Sequence, residues 1–332
     1  MKVLDVYRYA ERDDQEHLSL VLPHEINISR GDVRIFHING DEVEPVLRHL
    51  GAKDFNFGAA RNIILPAWEL PVYPDVWVPQ LKKFDEVWAI SKFVQESLAA
   101  SGVESKFVGQ AAEVTPRPYL SRRYFGLRDS AFVVLAMLDF SSFPARKNPR
   151  GAIDAFLRFR DKYPYGDAQL ALKVKGDNSE ELVSLKERLA TELPDAVFFS
   201  HAMTAHEVES LIATSDCFMS LHRAEGFGRV LAEAMFLGTI AVGTAWSGNL
   251  DFMTQANSIL VPHEMRDVQD GEYPEWKGQR WADPDLASAS EALSRLFNDR
   301  VYCRDLAAKA ARSVRMTCSN RAVGLRMYEA LQ

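Results

Sequence analysis

The sequence predicts an α/β protein made of two doubly wound, parallel-sheet domains, and three observations carry that expectation. Short apolar runs alternate with helical segments along most of the chain, which is the rhythm of parallel strands joined by crossover helices. A length of 332 residues suits two domains of ordinary size, each able to bury its own core. A proline-rich stretch, Thr115-Pro-Arg-Pro-Tyr119, interrupts the alternation and reads as a domain junction. The expected division is 1–114, 115–314, and a last helix at 315–332 that packs back toward the first domain.

In the first domain the apolar runs are 33–38, 62–65 and 86–90, with a further candidate strand at Lys2-Val-Leu-Asp-Val6. Ser91 is a good N-cap for a helix from 92 to about 100, closed by Ser101-Gly102, and a strand at 106–109 follows. The second domain opens with a strand at 132–137, inside the longest apolar run of the chain, the eight residues 131–138. A proline-containing loop leads to Asn148 as cap and Pro149 as first residue of a helix. Strands at 169–174 and 196–199 flank a helix at 180–189, and Thr204-Ala-His-Glu207 is a capping box for a helix to about 213. A strand at 216–221 is followed by a helix at 228–237, because Val230, Leu231, Ala234, Met235 and Leu237 form an apolar stripe and Gly238 is a natural left-handed terminator. A strand at 240–242 and helices near 286–297, 302–312 and 321–331 complete the pattern.

Composition narrows the class. Hydrophobic content of 47% and charged content of 26% are those of a soluble globular protein, and an eight-residue apolar run is far short of a membrane span. No apolar stretch follows a basic start, so a cytoplasmic location is expected. Cys217, Cys303 and Cys318 are odd in number and widely spaced, which argues against a disulfide framework and against a zinc site. A net charge of −7 disfavours nucleic acid as a partner but leaves small anionic ligands open.

The chemistry concentrates in His222-Arg-Ala-Glu225-Gly-Phe-Gly-Arg-Val-Leu-Ala-Glu233. Gly226, Phe227 and Gly228 stand at the mouth of the predicted helix, where unpaired amides and the helix dipole favour a phosphate and missing Cβ atoms let it come close. Glu225 before the helix and Glu233 inside it are carboxylates able to accept hydrogen bonds from sugar hydroxyls, Glu233 from both hydroxyls of a ribose. Arg146-Lys147, just ahead of the Asn148-Pro149 helix start, adds two cations and a second positive helix end. Together these predict a site for a sugar linked to a nucleoside diphosphate, beyond the carboxyl ends of the strands. Lys173 and Lys175 face either this site or water.

The two glutamates, the strand before them and the stretch 141–150 resemble glycosyltransferase family 4, retaining enzymes with the GT-B fold of two Rossmann-like domains facing a cleft. The resemblance implies that the first Glu holds the donor sugar, the second the ribose, the glycine turn and the basic pair the diphosphate, and the stretch around Met203 the base. It also implies that Glu225, Arg146 and Lys147 act in catalysis, and that no metal or other cofactor takes part; His222, just before the acidic motif, either contacts the donor or fills the loop. Trp68-Glu-Leu, Phe84-Asp-Glu-Val-Trp and Trp281-Ala-Asp-Pro-Asp285 look like a bacterial group 1 branch of that family, with Trp68 and Glu69 on the acceptor side. Polysaccharide biosynthesis on a glycan or lipid-linked acceptor, in the cytoplasm or at the inner face of the membrane, is what such a branch implies. Family members open with a strand and a glycine-rich loop, whereas no glycine precedes Gly31 here, so a shortened N-terminal domain is expected. Two alternatives stay open: a nucleotide-sugar epimerase, for which no acid–base pair is visible, and a non-catalytic or partner-dependent GT-B protein that binds nucleotide sugar.

Overall fold

The computed structural model describes residues 33–51, 56–115, 117–140, 143–176 and 180–332. The candidate strand at Lys2–Val6 and the residues Pro116, Ser141 and Ser142 of the two loops noted above lie outside them. Contacts divide the chain into two units, Met1–Trp68 with Val72–Val108, and Glu69–Pro71 with Gly109–Gln332.

The first unit holds a parallel sheet of β1 (Val33–Phe36), β2 (Arg61–Ile64), β3 (Glu86–Ala89) and β4 (Lys106–Phe107), in that order across the sheet. Ile63, Ile64, Val87, Trp88 and Ala89 are buried, as the apolar runs required. Helix α1 (Val43–Gly51) buries Val43, Val46 and Leu50 at helical spacing. Beyond it come the single turn α2 (Val78–Leu81) and α3 (Lys92–Ala100), where the Ser91 hydroxyl accepts the Val94 amide at 3.0 Å, the cap read from the sequence. Among the described residues these strands run in sequence order without reversal, so double winding is seen in the second unit alone.

The second unit has a six-stranded parallel sheet: β5 (Phe132–Asp139), β6 (Ala168–Lys175), β7 (Val197–Phe199), β8 (Cys217–Ser220), β9 (Ile240–Thr244) and β10 (Ile259–Val261). Their order is β10-β9-β8-β5-β6-β7. The chain builds outward from β5 to β7, then returns to the other side of β5 with β8, so the winding reverses between β5 and β8. Both faces are covered, which is why β5 is a nearly continuous apolar run rather than an alternating one. The core gathers Phe132, Val134, Phe156, Phe159, Leu170, Leu172, Met219 and Val242, with Phe132, Phe159 and Phe297 meeting edge to face.

The helices of this unit are α4 (Pro144–Lys147), α5 (Pro149–Lys162), α6 (Glu180–Glu192), α7 (Ala205–Thr214), α8 (Arg229–Leu237), α9 (Leu286–Asn298), α10 (Arg300–Cys318) and α11 (Asn320–Leu331), the last packed on α10. The capping box at Thr204 and Glu207 forms, and Gly238 closes α8 at φ 82°. Four features differ from the sequence expectation, the first being the sixth strand of the sheet, β10, which the sequence reading did not place. The loop before Asn148 contains the short helix α4; α10 runs well past 312; and a polar antiparallel pair, β11 (His263–Asp267) with β12 (Arg280–Pro284), follows β10. Sequence periodicity misses that pair because its charged residues hide the alternation, and Trp281, the fully buried anchor of β12, lies under the guanidinium of Arg266 at 5.2 Å. Among the described residues no helix is long and apolar enough to cross a membrane.

Candidate functional site

The reversal between β5 and β8 creates a crevice beyond their carboxyl ends, the place where ligands bind in open parallel sheets. Two segments arrive there, one after each strand. From β5 the chain passes Phe143, held at φ 56°, through α4 to Asn148 at φ 52°. Asn148 is buried; its side-chain oxygen accepts the Gly151 amide at 3.2 Å and its amide nitrogen donates to the Leu221 carbonyl at 3.0 Å, tying the start of α5 to the end of β8. The Arg223 amide donates to the Arg146 carbonyl at 2.8 Å, and the Arg223 guanidinium to the Ala145 carbonyl at 2.6 Å. The basic segment and the acidic segment are thus fastened backbone to backbone.

That fastening brings Arg146, Lys147 and Glu225 together. Arg146 is 4% exposed; its Nη1 donates to the Ala224 carbonyl at 2.9 Å and lies 3.2 Å from Glu225 Oε2. Lys147 Nζ pairs with the other carboxylate oxygen, Oε1. Burial alone pushes the Glu225 carboxyl up, but Lys147 and Arg146 outweigh it and hold the group down at about 2. Burial works against the Arg146 charge as well, and Glu225 and Glu69 outweigh it, keeping the guanidinium above its ordinary value. A buried carboxylate with two cations on it is a charged site at neutral pH, not a hydrated surface pair.

Glu69, from the short Glu69–Pro71 segment that clusters with this unit, joins them: its Oε1 is 3.8 Å from Arg146 Nη2, and its other oxygen accepts the hydroxyl of the buried Tyr273. Tyr273 also packs edge to face on Phe143 at 5.0 Å. The neighbour of Glu69 in sequence, Trp68, belongs to the first unit, where it is 3% exposed, donates to the Val72 carbonyl at 2.8 Å, and packs on Tyr73 and Trp77. Its indole is part of that packing and faces no open space.

The glycine turn is held from the loop after β9. Ser247 Oγ accepts the Glu225 amide at 2.9 Å, and the Gly248 amide donates to the Glu225 carbonyl at 2.9 Å. A Cβ on Gly248 would stand 2.1 Å from the Gly226 carbonyl oxygen, so the two backbones touch only because residue 248 is glycine. Gly228 is the N-cap of α8 at φ 87°, and Phe227 is buried against Phe252 at 5.1 Å. The first-turn amides of α8 therefore point from a turn clamped on both sides, close to Glu225. Sequence reading missed Ser247, Gly248 and Asn249; the Ser-Gly-Asn tripeptide after a strand was the available signal. It also missed Tyr273 and Arg223, which no local motif marks.

His222 is fully buried. Its Nε2 lies 3.3 Å from the Trp246 carbonyl and 3.1 Å from Asn249 Oδ1, both acceptors, while Nδ1 lies 3.1 Å from Ser220 Oγ and from the Ser220 carbonyl. Asn249 is oriented by its amide, which donates to the Thr244 carbonyl at 3.0 Å. Burial lowers the His222 pKa, so a neutral ring with the proton on Nε2 satisfies this set, and the ring braces the two loops on either side of the turn. Glu233, on the second turn of α8, pairs with the exposed Arg229 at 3.1 Å; burial raises its carboxyl, and Arg229 offsets only part. Lys173 is 7% exposed in β6, with its pKa lowered by burial, whereas Lys175 is exposed 4.0 Å from Asp139; Met203 is half-buried ahead of the Thr204 cap. Among the described residues no group of three His, Cys, Asp or Glu is placed to hold a metal ion.

Residues 136–270, which contain the end of β5, the basic pair, the glycine turn and the Ser247–Asn249 clamp, match the family model described as glycosyl transferases group 1. The fold is GT-B. Sucrose-phosphate synthase of Thermosynechococcus elongatus is similar at a TM-score of 0.66 and 16% identity, over 90% of this chain and 72% of that one. The HepE protein of Anabaena, solved in complex with UDP and glucose, is similar at 0.66 and 14% identity, over 90% of this chain and 77% of that one. The pneumococcal O-GlcNAc transferase GtfA, in complex with UDP and GlcNAc, is similar at 0.60 and 14% identity, over 92% of this chain but 57% of that one. At these identities the likeness speaks for the fold. No curated protein matches the chain significantly.

Proposed function

We propose that the protein is a retaining glycosyltransferase of the family 4 type, moving a hexose from a nucleoside diphosphate sugar to a sugar hydroxyl without a metal. The observation that carries this reading is the meeting of Arg146, Lys147 and Glu225 beside a clamped glycine turn, at the point where the sheet reverses. Loss of the diphosphate leaves negative charge on its terminal phosphate. Lys147, Arg146 and the first-turn amides of α8 supply the opposite charge without reorganising, which is where such sites gain most of their rate. Glu225 accepts hydrogen bonds from the donor sugar and fixes its anomeric carbon for attack from the face the diphosphate leaves. Glu233 accepts the ribose hydroxyls from inside the helix.

Because Lys147 pairs with Glu225, donor binding on this reading is an exchange of partners: Lys147 turns to phosphate as Glu225 turns to sugar. The acceptor, following the family resemblance, is a glycan or a lipid-linked sugar reached from the cytoplasmic face of a membrane. UDP is the first nucleotide to test, since HepE and GtfA were each captured with it. Calorimetry with UDP on the wild type, Lys147→Ala and Glu233→Ala checks the donor site, with affinity expected to fall at least about tenfold in Lys147→Ala. Unchanged affinity in both variants removes the donor from these residues. Binding without transfer to any member of a glycan and lipid-linked acceptor panel gives the non-catalytic reading instead.

A further inference from the structure

Glu69 has a place in this cluster that the donor chemistry above does not use. Counting the ion pairs of this cluster, Arg146 and Lys147 are set against Glu225 and Glu69, two charges against two. The two carboxylates hold Arg146 differently. Glu225 lies within hydrogen-bond distance at 3.2 Å, and the Ala224 carbonyl fixes the same Nη1 at 2.9 Å, whereas Glu69 stands off at 3.8 Å from Nη2. At that separation Glu69 contributes charge more than direction. The Glu69 carboxylate is itself anchored, because the buried Tyr273 hydroxyl donates to it and keeps it from turning to solvent.

We propose that Glu69, pinned by Tyr273, is a counter-charge that weakens the grip of Arg146 and Lys147 on a diphosphate, so that the nucleoside diphosphate product can leave. The inference rests on the donor-site reading above and assigns Glu69 to the donor side. A product carrying its full charge on the terminal phosphate is the species the cation pair holds hardest. An anion kept beside that pair lowers the affinity for it without touching the sugar.

The test is calorimetry with UDP and, independently of the base, with inorganic pyrophosphate, together with stopped-flow release of UDP. Glu69→Gln is expected to bind both ligands about tenfold more tightly, the effect of removing one charge several ångströms away in a partly wet site, and to release UDP correspondingly more slowly. The gain shrinks at about 0.5 M salt, as an effect of charge and not of shape must. Glu69→Asp, which keeps the charge, stays within about twofold of wild type. Tyr273→Phe tightens binding in the same direction but less, and provides a second reading should Glu69→Gln fold poorly. Wild-type binding that Glu69→Gln leaves unchanged or weakens overturns the counter-charge and leaves the donor site standing. Absence of binding by the wild type and every variant removes the donor site itself.

Discussion

Glu225 and Glu233 flank one helix start, are the same residue type, and sit in opposite electrostatic settings. Glu225 is buried against two cations and held down at about 2; Glu233 faces the single exposed Arg229, and burial moves its carboxyl upward. Their spacing in sequence places both beside α8, but it is topology that separates them. Glu225 comes just after β8, next to β5, so the residues following β5 reach it; Glu233, on the second turn of α8, pairs with Arg229 of its own helix.

The largest expected effect tests the locked member. Glu225→Gln keeps the shape but removes the charge that orients the sugar and pairs with the buried Arg146, and transfer is expected to fall by about 10²- to 10³-fold, read as initial rates. A loss under about fivefold would place the sugar elsewhere. Next is Gly248→Ala, whose added methyl would meet the Gly226 carbonyl at 2.1 Å. It is expected to cost about 2–3 kcal/mol of stability and to abolish UDP binding, both visible in thermal unfolding with and without ligand.

A smaller effect sharpens the contrast between the two glutamates, because their pKa values move in opposite directions. For Glu225 the folded value lies below the unfolded one near 4.5, so its contribution, on the order of 2–3 kcal/mol, is fully present above about pH 4.5 and lost as pH falls toward 2. The deficit of Glu225→Gln relative to wild type should therefore narrow between pH 5 and about pH 2. For Glu233 the folded value is raised, so its ionised form costs stability at neutral pH. Glu233→Gln is expected to raise Tm by about 1–3 °C at pH 7, with the gain vanishing below the unfolded value, while UDP affinity drops several-fold for want of the ribose contact. Shifts of the same sign in the two variants would erase the distinction.

Much of this was legible from residues alone where the signal is local. Ser91, Asn148, the Thr204–Glu207 box and Gly238 cap the helices as expected, because a cap depends on neighbours within one turn. The basic pair and Glu225 were each visible in sequence, and the reversal of the sheet is what joins them. Glu69 and Tyr273 were not legible as a pair, because 204 positions separate them and, although Glu69 stood in the Trp68-Glu-Leu turn, no motif marks Tyr273. The β11–β12 pair escaped for a different reason, its charged residues being paired across strands and under Trp281 instead of alternating cleanly with apolar ones.

A crystal structure of the protein with UDP bound tests the central claim most directly. The account predicts the terminal phosphate within hydrogen-bond distance of Lys147 Nζ and the amides at 226–228, with Lys147 drawn off Glu225 and the ribose hydroxyls on Glu233. A diphosphate seated away from that turn, with the Lys147–Glu225 pair intact, would contradict it.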